Sequence, residues 1–308
     1  MNLKKLTLKS IITVLSFAAC SAAFGAPAQN SEPSKAFRVG SFNILGGSPK
    51  KEGTFKRAEM GAALVRFHNW DIFGTQEMYP FQKEVYEGRD GVYGTVGRPC
   101  CTYAEDAKAW ETWGNYIFYK KSRFELLDSG HFWLSETPET LSRSWGEKQY
   151  RICNWGKFRD KKTNKTFFFF DTHTGLTREA RIGATKLLLS KIAEIAGNSP
   201  VLMTGDFNEE ADKQSIKNIL QSGIMNDSWA KSSAPAYGPN GSYMPKIYIP
   251  KTSKTGLCDG EPRVGTKIDF IFVSNGISVS RCAILSDNQG GSYPSDHLPI
   301  MATVKIEK

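Results

Sequence analysis

Only four of the 308 residues are histidine, so any histidine that falls in a motif stands out as a proton carrier near neutral pH. The six cysteines show no CxxC spacing, which excludes a structural zinc site of the common kind. None has a base beside it in sequence that would make it a nucleophile. No apolar run reaches the roughly 20 residues that a membrane-spanning helix needs. Internal repeats, low-complexity linkers and a second motif set are also missing. The length suits one large two-sheet α/β domain or two small ones, and the single motif set favours one. With 40% hydrophobic and 23% charged residues, the chain has the composition of a soluble globular protein.

The first residues do not belong to that domain. Lys4, Lys5 and Lys9 precede a short apolar run from Ile11 to Ala19, and small residues follow, which reads as a secretory signal. Ala26-Pro27-Ala28 supplies an A-x-A pattern, so cleavage is expected after Ala28. Residues 29–36 then form a short linker and residues 37–308 the domain. A lipoprotein signal ending at Cys20 is the less favoured reading, because Phe17 fits poorly three places before a lipidated cysteine. Export to the periplasm or the outside of the cell is expected.

Losing three lysines and no acid lowers the formal charge from +9 to +6. That mild basic excess fits an anionic phosphate substrate without requiring one. It also leaves five cysteines, an odd number, among Cys100, Cys101, Cys153, Cys258 and Cys282. In an oxidising compartment one or two disulfides are expected, with Cys100-Cys101 as a surface-loop partner for Cys258 or Cys282.

Strand patterns cover 37–45, 71–76, 116–119, 124–134, 151–159, 166–172, 201–204, 267–273, 279–285 and 300–306. Helical patterns cover 54–68, with Thr54 as N-cap candidate, then 81–87, 177–196 and 213–221. Interleaved hydrophobic strands and helices imply sheets covered by helices.

Val201 to Glu209, VLMTGDFNE, is the most telling stretch. A short apolar strand ends at Gly205, and Asp206 and Asn208 follow with Phe207 between them. In an extended strand end they would face the same way, a carboxylate beside a carboxamide. The plainer reading is that both are turn formers. Other strands also end in, or contain, polar groups: Ser41-Phe42-Asn43, Thr75-Gln76-Glu77, Asp171-Thr172-His173, Ile268-Asp269-Phe270 and Ser295-Asp296-His297. Buried carboxylates are costly one by one. Converging on a hydrated cation, which favours oxygen ligands, they would compensate one another.

These blocks, with Asn115 to Tyr119 (NYIFY), resemble in order the endonuclease/exonuclease/phosphatase superfamily of metal-dependent phosphoesterases, over nearly all of the chain after Phe37. The stretch Phe124 to Glu139 is most similar to a bacterial secreted branch. The resemblance implies an α/β four-layer sandwich: two packed mixed β-sheets flanked by helices, with the site at one end. It implies Mg²⁺, or Mn²⁺ in its place, held by Glu77 with Asn43 and Asp296 nearby. It also implies His297 and His173 on the scissile phosphate, Asp269 orienting His297, and Asp206 and Asn208 on the attacking water and the phosphate. Asn115 and Arg151 would line the substrate side. Relatives near this branch read THLDH, whereas this chain reads His173-Thr174-Gly175-Leu176, which weakens any transfer of substrate preference.

The expected activity is hydrolysis of P–O bonds by metal-assisted attack of water, with a phosphodiesterase or nuclease first. A phosphomonoesterase of sugar, inositol or lipid phosphates, or a sphingomyelinase-like enzyme, comes next. A binding module for polyanions that has lost catalysis is the non-enzymatic alternative. The partners implied are a phosphate ester, nucleic acid among the options, and no stable protein, so a monomer is expected. The long segment from Tyr237 to Lys267 mixes tyrosines with lysines and arginine. Stacking on unpaired bases and a solvated loop are both open there.

Overall fold

The computed structural model describes residues 35–47, 53–88, 90–101, 112–245 and 264–307. The expected signal segment and residues 246–263 of the segment from Tyr237 to Lys267, Cys258 among them, lie outside the described residues. In chain order the elements are β1 (Phe37–Asn43), α1 (Thr54–Phe67), β2 (Ile72–Met78), α2 (Pro80–Glu87), β3 (Tyr93–Pro99), β4 (Gly114–Lys120), β5 (Phe124–Trp133), β6 (Ile152–Asp160) and β7 (Lys165–His173). Then follow α3 (Arg178–Ala196), β8 (Val201–Asp206), α4 (Gln214–Leu220), β9 (Met225–Asp227), α5 (Ser228–Lys231), β10 (Asp269–Ser274), β11 (Ile277–Ile284) and β12 (Ile300–Ile306). No helix among the described residues is long and apolar enough to cross a membrane.

The strands form two six-stranded sheets, ordered β11-β12-β1-β2-β4-β3 and β5-β6-β7-β8-β10-β9. Each is mixed: β1–β2 and β7–β8 run parallel, and the other pairs run antiparallel. This is the two-sheet α/β sandwich expected from the sequence.

Residues 167–170 show why the sheets pack as they do. Successive side chains of a strand point to opposite faces. Phe167 and Phe169 therefore enter the layer between the sheets, with Val39, Ile72, Ile117 and Ile271. Phe168 and Phe170 face the other way, against Leu188 and Ile192 of α3 and Ile216 and Ile219 of α4. On the far side of the first sheet, Phe42, Phe73 and Phe118 meet Ala58, Ala62 and Val65 of α1. A strand buried on both faces reads as a continuous apolar run, and each such phenylalanine contributes roughly 2–3 kcal/mol.

Three expectations need correction. Thr54 is the first helical residue of α1, and Gly53, at φ 79°, is the N-cap without any side-chain cap bond. Cys100, Cys101, Cys153 and Cys282 are all free thiols, with no disulfide among the described residues, and Cys100 is buried rather than in a surface loop. Buried Cys153, Cys282 and Cys100 belong to three different hydrophobic clusters, which keeps them apart. Strands β3 and β9 and helix α5 are elements that the sequence patterns do not mark. Strand β3, YGTVGRP, carries two glycines and a proline, tolerable because it lies at a sheet edge.

Candidate active site

Register alone brings the site together. Parallel pairing sets His173 of β7 opposite Asp206 of β8, and antiparallel pairing sets Asp206 opposite Asp269 of β10. In the other sheet, Asn43 lies opposite Gln76, one residue before Glu77. A hydrogen bond then joins the two sheets, Asn43 Nδ2 donating to Asp206 Oδ2 at 3.0 Å. The same nitrogen reaches Glu77 Oε1 at 3.2 Å.

Asp206 is the centre of the cluster. Its Oδ2 lies 3.4 Å from His173 Nε2 and 3.7 Å from His297 Nε2. Burial, and then the negative charge of Asp269, push its pKa up to about 7. His297 behaves differently. Burial alone would lower its pKa, yet the Asp269 and Asp206 carboxylates outweigh burial and hold it well above the usual imidazole range. His297 Nδ1 lies 2.8 Å from Asp269 Oδ2, so the carboxylate fixes the ring's orientation. His173 is the opposite case: burial, then the cations Arg151 and His297, keep it neutral.

Glu77 sits at an irregularity in the β2–β4 pairing, with φ 61°. A non-glycine residue in that region is strained, and such strain gathers at functional sites. Burial raises the Glu77 pKa, with His297 and Asn43 opposing. Asp296 is raised for the same first reason. Asn43 Oδ1 accepts from the Leu45 N–H at 3.1 Å, which orients the carboxamide.

Asp206 and Asn208 do not form the extended strand end expected of them. Strand β8 stops at Asp206, and Asn208 turns to φ 50° with its N–H donating to Asp206 Oδ1 at 2.8 Å. Its Nδ2 donates to Thr174 O at 3.1 Å, which ties this turn to the residue after His173. The turn chemistry of asparagine prevailed over strand alternation.

Arg151 is buried, 4% exposed, and its Nε and Nη1 have no partner among the described residues. The guanidinium lies over Trp113 at 5.2 Å, and Trp113 packs against His173 at 5.5 Å. Asn115 is tied to the scaffold: Nδ2 donates to Ile152 O at 3.0 Å, while Oδ1 has no partner. His68 and His131 lie apart, bonded to Asp287 and Arg98.

Three contributors escaped the sequence reading. Ser242 donates to Asp269 Oδ2 at 2.6 Å and accepts from two backbone N–H groups, completing a Ser242–Asp269–His297 chain. Ser295 Oγ donates to Asn43 O at 2.7 Å and accepts from the His297 N–H, which ties the ends of the chain's first and last motifs together. Trp113 supplies the face under Arg151. No local pattern marks Ser242 or Trp113, and Ser295 lies in a motif that gives it no role of its own. Only the partner across space gives each its role.

A match to the model of the endonuclease/exonuclease/phosphatase family spans residues 40–297 and takes in all of these groups. The chain belongs to that family. Members of the family hydrolyse phosphate esters, and this chain is accordingly a phosphate-ester hydrolase. Among solved structures, a family protein from Bacteroides thetaiotaomicron is 29% identical, with 89% of this chain and 98% of that one covered and a TM-score of 0.76. A mannosyl-6-phosphatase from the same organism is also 29% identical, over 87% of this chain and 99% of that one, with a TM-score of 0.73. The human nocturnin catalytic domain, at 18% identity, 88% and 93% coverage and a TM-score of 0.64, shares the fold. No curated protein matches the chain.

Proposed function

We propose that the protein is a Mg²⁺-dependent phosphatase of small phosphomonoesters, with sugar phosphates foremost. The observation that carries this is Arg151. A buried cation with unpartnered donors is costly unless an anion completes it. Its position beside His173 makes a phosphoryl group the fitting anion. His173, Asp206 and His297 are all buried. A terminal phosphate enters such a site end-on, whereas a phosphate within a polymer must bring chain on both sides. Similarity to a mannosyl-6-phosphatase supports the same choice. The order of preference is thus the reverse of the one expected from sequence, where the diester led.

The oxygen-rich side of the site fits a hard divalent cation. Glu77, Asp296, Asp206 and Asp269 are four carboxylates against the cations His297 and Arg151, an imbalance that burial makes expensive. Asp206, Asp269 and His297 bring ligand atoms within 4.8 Å of one another and are a candidate cation site. In that trio, however, Asp269 Oδ2 already accepts from Ser242 and bonds His297. Glu77 and Asp296, with the remaining lone pair of Asn43 Oδ1, would hold Mg²⁺, or Mn²⁺ in its place. When bound, the ion would neutralise charge on the phosphoryl oxygens.

The chain's own groups divide the remaining work. Asp206 orients the attacking water and takes its proton, a role suited to a pKa near the working pH. His297, held cationic by Asp269, donates to a phosphoryl oxygen. Arg151 binds another. His173 packs neutral beside them, and Asn208 keeps one amide hydrogen free for the phosphate while the other anchors its loop.

One observation favours a second reading. The Tyr243 ring lies 5.1 Å from the His297 ring at the site's edge, where a base could stack, so a phosphodiesterase or nuclease is the alternative. Export to the periplasm or beyond rests on the character of residues 1–28. The test is hydrolysis of mannose 6-phosphate, a nitrophenyl monoester, a nitrophenyl diester, plasmid DNA, poly(A) and sphingomyelin, each with Mg²⁺ and with EDTA. Monoester turnover that EDTA abolishes is expected. Turnover of the diester or DNA alone would overturn the monoester reading, and full activity in EDTA would overturn the metal.

A further inference from the structure

Asp171 is a buried carboxyl that the reaction does not touch. It lies on β7, two residues before His173, with no exposed surface. Its Oδ1 accepts from Gln76 Nε2 at 2.7 Å and from Thr204 Oγ1 at 2.7 Å. Gln76, on β2, directly precedes Glu77, and Thr204, on β8, stands two residues before Asp206. Across the sandwich Gly74 makes the room: a Cβ there would stand 2.0 Å from Asp171 Oδ1.

Three strands that each carry a site residue therefore meet at one oxygen beneath the site. They come from both sheets, β2 from one and β7 with β8 from the other. Apolar packing between sheets is non-directional, whereas a pair of short hydrogen bonds sets spacing and registration. We propose that Asp171 is a positioning residue: a neutral carboxylic acid that ties β2 to β7 and β8, and so fixes Glu77 relative to His173 and Asp206.

The neutral form follows from the surroundings. Oδ2 has no partner, the residue has no exposed surface, and no ion pair reaches it among the described residues. An ionised oxygen left bare in that position would be strongly unfavourable. Burial pushes the Asp171 pKa well above the usual carboxylate range, in agreement. The titratable neighbour on β6, the Cys153 thiol, is itself kept protonated by burial and supplies no countercharge.

The kinetic arm of the test rests on the phosphatase reading, and the spectroscopic arm does not. Asp171→Asn keeps the Oδ1 acceptor and the shape, so kcat and KM on nitrophenyl phosphate should stay within a few-fold of the parent. Asp171→Leu removes the tie and should lower kcat on the order of 10²-fold with KM little changed, as a shift of about 1 Å does. Gln76→Met cuts only the bond between sheets and leaves the carboxyl in place; it should show the same kcat-selective loss even if Asp171→Leu does not fold. In the infrared difference between parent and Asp171→Asn at pH 7, a protonated carboxyl C=O stretch that shifts in D₂O is expected. Carboxylate bands in its place would overturn the neutral assignment. An Asn variant as impaired as the Leu variant, or an unchanged kcat in Gln76→Met, would overturn the positioning role. A parent inactive on every ester would leave the infrared result standing, so the two readings fail separately.

Discussion

Neutralising Asp206 should make the protein more stable while abolishing its activity. The carboxyl's pKa is about 7 in the folded state against 3.8 in the ordinary case, because burial and the nearby Asp269 disfavour its charge. A folded-state pKa above the unfolded one means that the folded protein holds the proton more tightly. The group's contribution to stability is therefore full below about pH 4 and is lost as pH rises through about 7. About three pKa units at 1.36 kcal/mol each amount to a destabilisation of roughly 4 kcal/mol at pH 8. Asp206→Asn removes that cost. The replacement also turns one acceptor into a donor facing Asn43 Nδ2, which opposes the gain by about 1–3 kcal/mol. The net expectation is a stabilisation of about 1–3 kcal/mol at pH 8, or several degrees in Tm for a chain of this size.

The assay is thermal melting of parent and Asp206→Asn in EDTA from pH 4 to 8, followed by the same series in excess Mg²⁺. The advantage of the variant should shrink as pH falls from 7 toward 4, where the parent carboxyl takes up its proton. Mg²⁺ should shrink it too, because a cation beside Asp206 favours its charged form and so binds the folded parent more tightly than the variant. A variant less stable than the parent at pH 8, or a difference that ignores pH, would refute the reasoning.

Glu77→Gln should reduce activity mainly by weakening metal affinity, so kcat measured across a Mg²⁺ titration should recover part of its value at high concentration. His297→Ala should lose activity on the order of 10²–10⁴-fold, the range for a proton-transfer group, with no rescue by added metal in the same titration. Recovery there would refute the role given to the ring. Thr177→Ala removes the α3 N-cap, whose Oγ1 accepts from the Ala180 N–H at 3.1 Å. It should cost about 1 kcal/mol of stability, read as a lower Tm with kcat unchanged.

Among the described residues, alternation and apolar runs sufficed to locate ten of the twelve strands and four of the five helices, because burial on one face or two leaves a periodic trace in sequence. Strand β3 left none, since an edge tolerates glycine and proline, and three-residue β9 was too short to show a period. The motifs around Asn43, Glu77, His173, Asp206, Asp269 and His297 were legible for a related reason: polar groups in or at the ends of apolar strands break the expected pattern. Ser242 and Trp113 broke no pattern, and Asp171 and Ser295, though they lie inside those motifs, had no role to show until their partners across space were known. Asn208 went the other way, its strand-like spacing giving way to a turn.

By itself, then, the sequence determined which segments form strands and helices and which chemical groups were available, because both are local consequences of side-chain type and spacing. Tertiary structure alone decided the rest. Strand register between and within the sheets set which carboxylates share one charge cluster, and depth below the surface set which of them hold protons. Charge and hydrogen bonding act over a few ångströms of space, whatever the distance along the chain, and only folding brings residue 43 beside residue 206.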